Sequence, residues 1–144
     1  MYSGKYSYVV DEKGRIFVPV KFRRGTSLKN GNSFVVTRGF DRCLMVYPAE
    51  EWREVEKKLR SYPTSDIKSR RVVRWFTANA EKVKLDSQGR MKVPQHLLDF
   101  IELEKEVVII GVLNRLEIWK PETYREEEKK SEPAGFDALP ELNL

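Results

Sequence analysis

The amino-acid sequence predicts an α+β protein, mainly β, made of two tandem β-β-α-β-β units with flanking helices. Three observations predict it. The segment DEKGRIFVP (Asp11 to Pro19) returns as DSQGRMKVP (Asp86 to Pro94), with Asp, Gly, Arg, Val and Pro held at a constant offset of 75. Further on, VVTRGFDRCLMVYPAEEW aligns with VVIIGVLNRLEIWKPETY at an offset of 72, which sets Gly39 on Gly111, Val46 on Ile118, Tyr47 on Trp119 and Trp52 on Tyr124. The shift between the two offsets falls where GTSLKNGN faces the shorter FIELEKE, a connector of the kind that tolerates insertion. The third observation is that each copy has the same order of strand-like and helix-like runs.

In chain order, KYSYVV and EKVKL have strand composition, and each leads through a four-residue turn, DEKG or DSQG, into a return strand, RIFV or RMKV. Glycine takes a positive-φ turn position cheaply and aspartate accepts backbone N–H groups at the turn's start, so each pair is expected to form a hairpin. Pro19 and Pro94 end the return strands and suit the start of short helices, PVKFRR and PQHLLDF. Two more strands close each copy: SFVVTR and CLMVYP around GFDR, then EVVIIG and RLEIWK around Val112 to Asn114. In PAEEWREVEKKLRSY, Trp52, Val55 and Leu59 make a narrow apolar stripe at helical spacing that should pack on the sheet. A linking helix, SDIKSRRVVRWFTANA, is expected to be capped near Ser65 or Asp66, with Lys68, Arg70, Arg71 and Arg74 read as the solvated face of a connector and contact with DNA as the alternative. PETYREEEKK continues helical before Pro, Gly and acidic residues in SEPAGFDALPELNL predict a flexible tail. The expected organisation is thus a first repeat with its helix over 1–64, a linking helix over 65–79, a second repeat over 80–125 and a tail over 126–144.

Composition narrows the function. At 144 residues, 40% hydrophobic and 34% charged, the chain reads as one globular unit or two fused small ones. No apolar run approaches the roughly 18 residues of a membrane span, and the Met1-Tyr2-Ser3-Gly4-Lys5 start lacks a signal peptide's apolar segment, so a cytoplasmic location is expected. A single cysteine, Cys43, excludes an internal disulfide and a cysteine-based metal cluster. The net charge of +5 is uneven: residues 1–75 hold 17 Lys and Arg against 8 Asp and Glu, residues 76–144 hold 10 against 14. A basic front half favours a polyanionic partner. Enzymatic readings find little to rest on. His96 is the one histidine and sits near a helix start, with no triad or zinc-ligand pattern around it. The glycine of TRGFDR opens no phosphate-binding loop, and Glu50 and Glu51 precede a helix whose positive end they serve. No enzymatic activity, cofactor, metal or small-molecule substrate is expected.

Two D-x-x-G-R-x-x-V-P blocks, each at the head of a β-β-α-β-β unit with an aromatic-bearing helix behind it, resemble the MraZ family, tandem relatives of the AbrB-type swapped-hairpin DNA-binding domains. The resemblance spans roughly residues 1–125. It implies that the two units interlock into a pseudo-twofold swapped-hairpin barrel, that chains assemble into a ring-shaped homo-oligomer, an octamer being the first expectation, and that the D-x-x-x-R segments face double-stranded DNA. By the same resemblance the protein would regulate the division and cell-wall operon that includes its own gene, binding G-rich promoter repeats at the nucleoid. Lys13 in the first turn stands where the second has Gln88, leaving the second less basic, and the tail has no counterpart.

Physical chemistry can carry that role. A two-stranded ribbon fits the major groove, where an exposed arginine donates two hydrogen bonds to guanine O6 and N7. Arg15 and Arg90 are the candidate base readers. Asp11, Gly14, Asp86 and Gly89 would fix the turns and aim the arginines, and Lys5, Lys13, Lys21, Arg23, Arg24, Lys84 and Lys92 would meet phosphates, which position without reading sequence. The competing structural reading is that each Asp–Arg pair merely pins its hairpin. A competing functional class is an AbrB-type antitoxin or interaction module whose acidic, apolar-spotted tail from Glu126 to Leu144 binds a protein.

Overall fold

The computed structural model describes residues 1–23 and 33–142, with 133–139 and 142 by backbone alone. The first repeat contains β1 (Lys5–Val9), β2 (Arg15–Phe17), α1 (Val20–Arg23), β3 (Ser33–Arg38) and β4 (Leu44–Pro48), followed by α2 (Ala49–Arg60) and α3 (Ile67–Thr77). The second contains β5 (Glu81–Lys84), β6 (Arg90–Lys92), α4 (Gln95–Phe100), β7 (Glu106–Val112) and β8 (Arg115–Trp119), followed by α5 (Pro121–Leu142). Local chemistry accounts for the helix ends. Glu50 and Glu51 lie in the first turn of α2 and Lys57, Lys58 and Arg60 in its last, complementing the helix dipole. Asp66 caps α3, its Oδ2 accepting from the Ser69 N–H at 3.1 Å and the Ser69 hydroxyl at 2.7 Å.

The strand partners depart from the expected hairpins. β1 and β2 do not pair with each other: β1 pairs antiparallel with β7, β2 with β6, and β3 with both β4 and β5. In the second repeat, β5 and β6 keep one isolated bridge, Leu85 to Met91. The result is a six-stranded sheet in the order β1-β7-β8-β4-β3-β5 and a separate two-stranded ribbon, β2-β6. Exchanging the repeats maps this order onto itself, so the two halves are interleaved about a local twofold. These ladders do not close into the expected barrel among the described residues. The turn still reverses the chain, but each arm finds a longer ladder in the other repeat than the three-residue return strand would offer it.

The sheet is covered on both sides. On one side Phe34, Val36, Leu44, Val46, Ile109 and Ile118 pack against Ile16 and Met91 of the ribbon, Phe22 of α1 and Leu97 and Leu98 of α4. On the other side Val35, Met45 and Tyr47 meet Trp52 and Leu59 of α2 and Phe76 of α3, and Val108 and Trp119 pack near Cys43 and Tyr124 of α5. The expected stripe on α2 is therefore a core contact. Fully burying an aliphatic or aromatic side chain contributes about 1.5–3 kcal/mol, so this double coverage is the main stabilising term. The segment expected to be a flexible tail continues as helix: α5 runs unbroken through Leu142. Its Glu- and Lys-rich first half is composed of good helix formers, and Arg125 pairs with Glu122 one turn away at 3.8 Å. Among the described residues no helix is long and apolar enough to cross a membrane.

Candidate nucleic-acid interface

The two repeated turns are nearly superimposable in their bonding. In the first, Asp11 Oδ1 accepts from the backbone N–H groups of Lys13 and Arg15, each at 2.9 Å, while Oδ2 accepts from Arg15 Nε at 2.6 Å. In the second, Asp86 Oδ1 accepts from Gln88 and Arg90 N–H and Oδ2 from Arg90 Nε, all at 2.9 Å. Gly14 at φ +76° and Gly89 at +77° supply the left-handed step that closes each turn. The Asp11 carboxyl is held down at about 2, chiefly by the Arg15 N–H, and Asp86 is lowered for the same reason. Each aspartate thus shapes the turn with one oxygen and aims the arginine with the other.

Ribbon pairing brings the two turns together. Val18 N–H donates to the Gly89 carbonyl at 3.0 Å and Val93 N–H to the Gly14 carbonyl at 2.9 Å, flanking the register Arg15↔Lys92, Ile16↔Met91 and Phe17↔Arg90. Ile16 and Met91 are buried beneath, so strand alternation puts Arg15, Phe17, Arg90 and Lys92 on the outer face as a compact set of four. Arg90 also reaches across the local twofold, its Nη1 lying 3.8 Å from Asp11 Oδ2. With Nε engaged, the outer nitrogens of Arg15 have no hydrogen bond among the described residues. The guanidinium is oriented from behind and presented forward.

The expected phosphate contacts divide by side. Lys13 is exposed in the first turn, Lys92 is exposed on the ribbon, and Lys21 is exposed on α1, its Nζ 3.5 Å from Ser3 Oγ. The Arg23 guanidinium lies against Gly89, so the first repeat's helix reaches the second repeat's turn. Lys5 lies apart from these. Its Nζ pairs with Glu128 of α5 at 3.5 Å and lies over the Tyr124 ring, on the side of the sheet away from the ribbon. Tyr6 and Tyr8 pack on the ribbon-side core, and alternation turns Lys5 the other way. Lys84 is displaced by the same parity, since its neighbours Val83 and Leu85 pack on that core. Arg24 lies outside the described residues. The linking helix α3 also packs on the far side of the sheet, which keeps its basic residues off the ribbon face.

Phe17 is the member of the outer face that sequence reasoning missed. The period-2 pattern of RIFV, with Ile16 and Val18 inward, was the available signal. His96 is exposed on α4 with Nδ1 3.9 Å from Glu81, and Cys43 is a buried thiol whose pKa burial pushes up.

Comparison with known proteins places both halves in one group. A family described as "MraZ protein, putative antitoxin-like" matches residues 1–75 and again 76–141. A protein of Natranaerobius thermophilus named Transcriptional regulator MraZ is 41% identical over 141 residues, covering 98% of this chain and 95% of its own length. Its namesake from Desulforamulus reducens is 41% identical over 141 residues, covering 98% and 96%, and that from Halothermothrix orenii is 47% identical over 119 residues, covering 83% and 80%.

Proposed function

The chain belongs to the MraZ family, and from that premise we propose that it is a sequence-specific DNA-binding transcriptional regulator, reading G-rich promoter repeats of the division and cell-wall operon that includes its own gene. One observation carries the reading: the β2–β6 ladder fuses two arginine-bearing turns into a single ribbon with Arg15 and Arg90 on one outer face. A ribbon of this width enters the major groove, and each arginine donates to guanine while its own aspartate holds it from behind. Lys13, Lys21 and Lys92 meet flanking phosphates. Asp11 and Asp86 carry negative charge and serve the arginines, not the DNA. Chains assemble into a ring-shaped homo-oligomer, with an octamer as first expectation, so that several ribbons engage successive repeats and gain avidity. Phe40 and Leu113, exposed apolar side chains at the tips of the β3–β4 and β7–β8 hairpins, are available for contacts between chains. The course of α5 as helix through Leu142 favours this reading over capture of a protein partner by an unstructured tail.

The test is a band shift on the DNA upstream of the gene, with scrambled duplex as competitor. Log K should fall against log salt with slope about −0.9 per phosphate contact, hence about −3 for three lysines on one chain. Arg15→Ala and Arg90→Ala should keep their melting temperature and mass while operator binding weakens by about 1–3 kcal/mol for each guanine-reading arginine removed, roughly 5- to 150-fold. Variants that unfold, or that stay folded and bind operator as tightly as the parent, would return the Asp–Arg pairs to a purely structural role.

A further inference from the structure

The local twofold relating the repeats is broken on the face that carries the arginines. At the repeat offset of 75, Phe17 is the equivalent of Lys92, and both side chains are exposed on the ribbon's outer side. Phe17 is 44% exposed, whereas the strand neighbour Ile16 is fully buried, so Phe17 is not a core residue spilling out. Cross-strand pairing sets it beside Arg90, and the Tyr8 ring at 6.3 Å backs it from β1. Lys92 takes the corresponding place beside Arg15. One end of the reading face is therefore arginine with lysine, and the other is arginine with a phenyl ring.

In the major groove those two ends offer different chemistry. Beside Arg15 the Lys92 ammonium is a cation for a flanking phosphate, whereas beside Arg90 the phenyl ring has no donor and gains by covering a thymine 5-methyl group. We propose that Phe17 is a specificity-determining residue that packs on a thymine methyl next to the base read by Arg90, so that the two half-sites under one chain are unequal. This rests on the DNA reading above. The broken symmetry gives the operator a direction: a chain seats in one orientation, where an exact twofold would read a palindrome equally both ways.

The experiment compares operator duplex containing thymine with the same duplex in which every thymine is replaced by uracil, which removes only the 5-methyl groups. Affinity is measured by fluorescence anisotropy for the wild type, Phe17→Ala and Phe17→Lys, the last placing in the first repeat the residue that the second already tolerates. The wild type should bind the uracil duplex about fourfold more weakly per methyl covered, the factor that about 0.8 kcal/mol per buried methyl-sized group implies. Phe17→Ala and Phe17→Lys should bind the two duplexes equally. Equal wild-type affinity for both, with preference over scrambled DNA intact, overturns the inference and leaves the DNA reading standing. Loss of all operator preference in the wild type overturns both. A Phe17→Ala protein that keeps the wild-type thymine preference, or that changes oligomer mass, also refutes it, because the methyl would then be sensed elsewhere or Phe17 would belong to an interface between chains.

Discussion

Replacing Gly14 by alanine strikes the turn and the seam between the repeats together. At φ +76° the new residue is forced into the left-handed region, which costs an L-residue about 1–2 kcal/mol. Its Cβ would also stand 3.2 Å from the Val93 carbonyl and 3.4 Å from Leu98 Cδ1. The carbonyl belongs to the backbone beside the ribbon and has little room to move, so about 1 kcal/mol more is expected from crowding. The total of about 2–3 kcal/mol corresponds to a loss in Tm of about 6–12 °C for a chain of this size. At Gly89 the added Cβ would meet the guanidinium of Arg23, whose Nε is buried, so Gly89→Ala should carry the same left-handed cost together with displacement of that side chain. Gly14→Asn separates the contributions, because asparagine enters the left-handed region more readily than alanine while bringing the same Cβ. Thermal circular dichroism on the three variants gives the stabilities, and operator affinity corrected for the folded fraction gives the effect on the neighbouring Arg15. A Gly14→Ala protein as stable as the parent, or a Gly14→Asn protein no better than Gly14→Ala, would refute the reasoning.

Two further outcomes follow from the geometry. Lys92→Ala should weaken binding to operator and random DNA and reduce the salt slope by about 0.9, whereas Lys5→Ala should change neither, because Lys5 is paired with Glu128 on the far side of the sheet; equal effects from both would contradict the assignment of sides. The Asp11 carboxyl, lowered from 3.8 to about 2, contributes turn stability that is fully present above pH 3.8 and is lost as pH falls through about 2. Its carboxyl carbon, followed by NMR, should titrate near 2, and a midpoint near 4 would mean the Arg15 and Lys13 bonds are not held in solution.

The element order was legible because duplication prints it twice: Asp, Gly and Arg at fixed spacing locate a turn, and Trp52, Val55 and Leu59 a buried helix face. Partner choice was not legible. KYSYVV has the composition to pair with RIFV, and sequential strands are neighbours in most folds, yet β1 pairs with β7. Copies of one unit offer the same edges within a repeat and across repeats, and only the whole packing decides between them. The same non-locality hid which lysines share the ribbon's side. Lys5 and Lys84 lie close in sequence to the turns, but their side is set by strand parity against a core assembled from both halves. The arginines escaped this ambiguity, since each is fixed by an aspartate four residues earlier. In the tail, Pro133 and Pro140 read as helix breakers by local propensity, whereas the segment continues helical across them.

Interleaving also sets the order of events during synthesis. Strand β1 leaves the ribosome well before its partner β7, which begins only at Glu106, so at about 5–20 residues per second it waits roughly 5–20 s for its ladder. β2 likewise waits for β6 and β3 for β5. Until then the nascent first half has an unpaired edge and the apolar side chains of Ile16, Phe22 and Phe34 without their cover from Met91 and Leu97. The fused duplicate secures its partner by covalent attachment, yet during translation it must still avoid the first half of a neighbouring nascent chain, whose edge is identical.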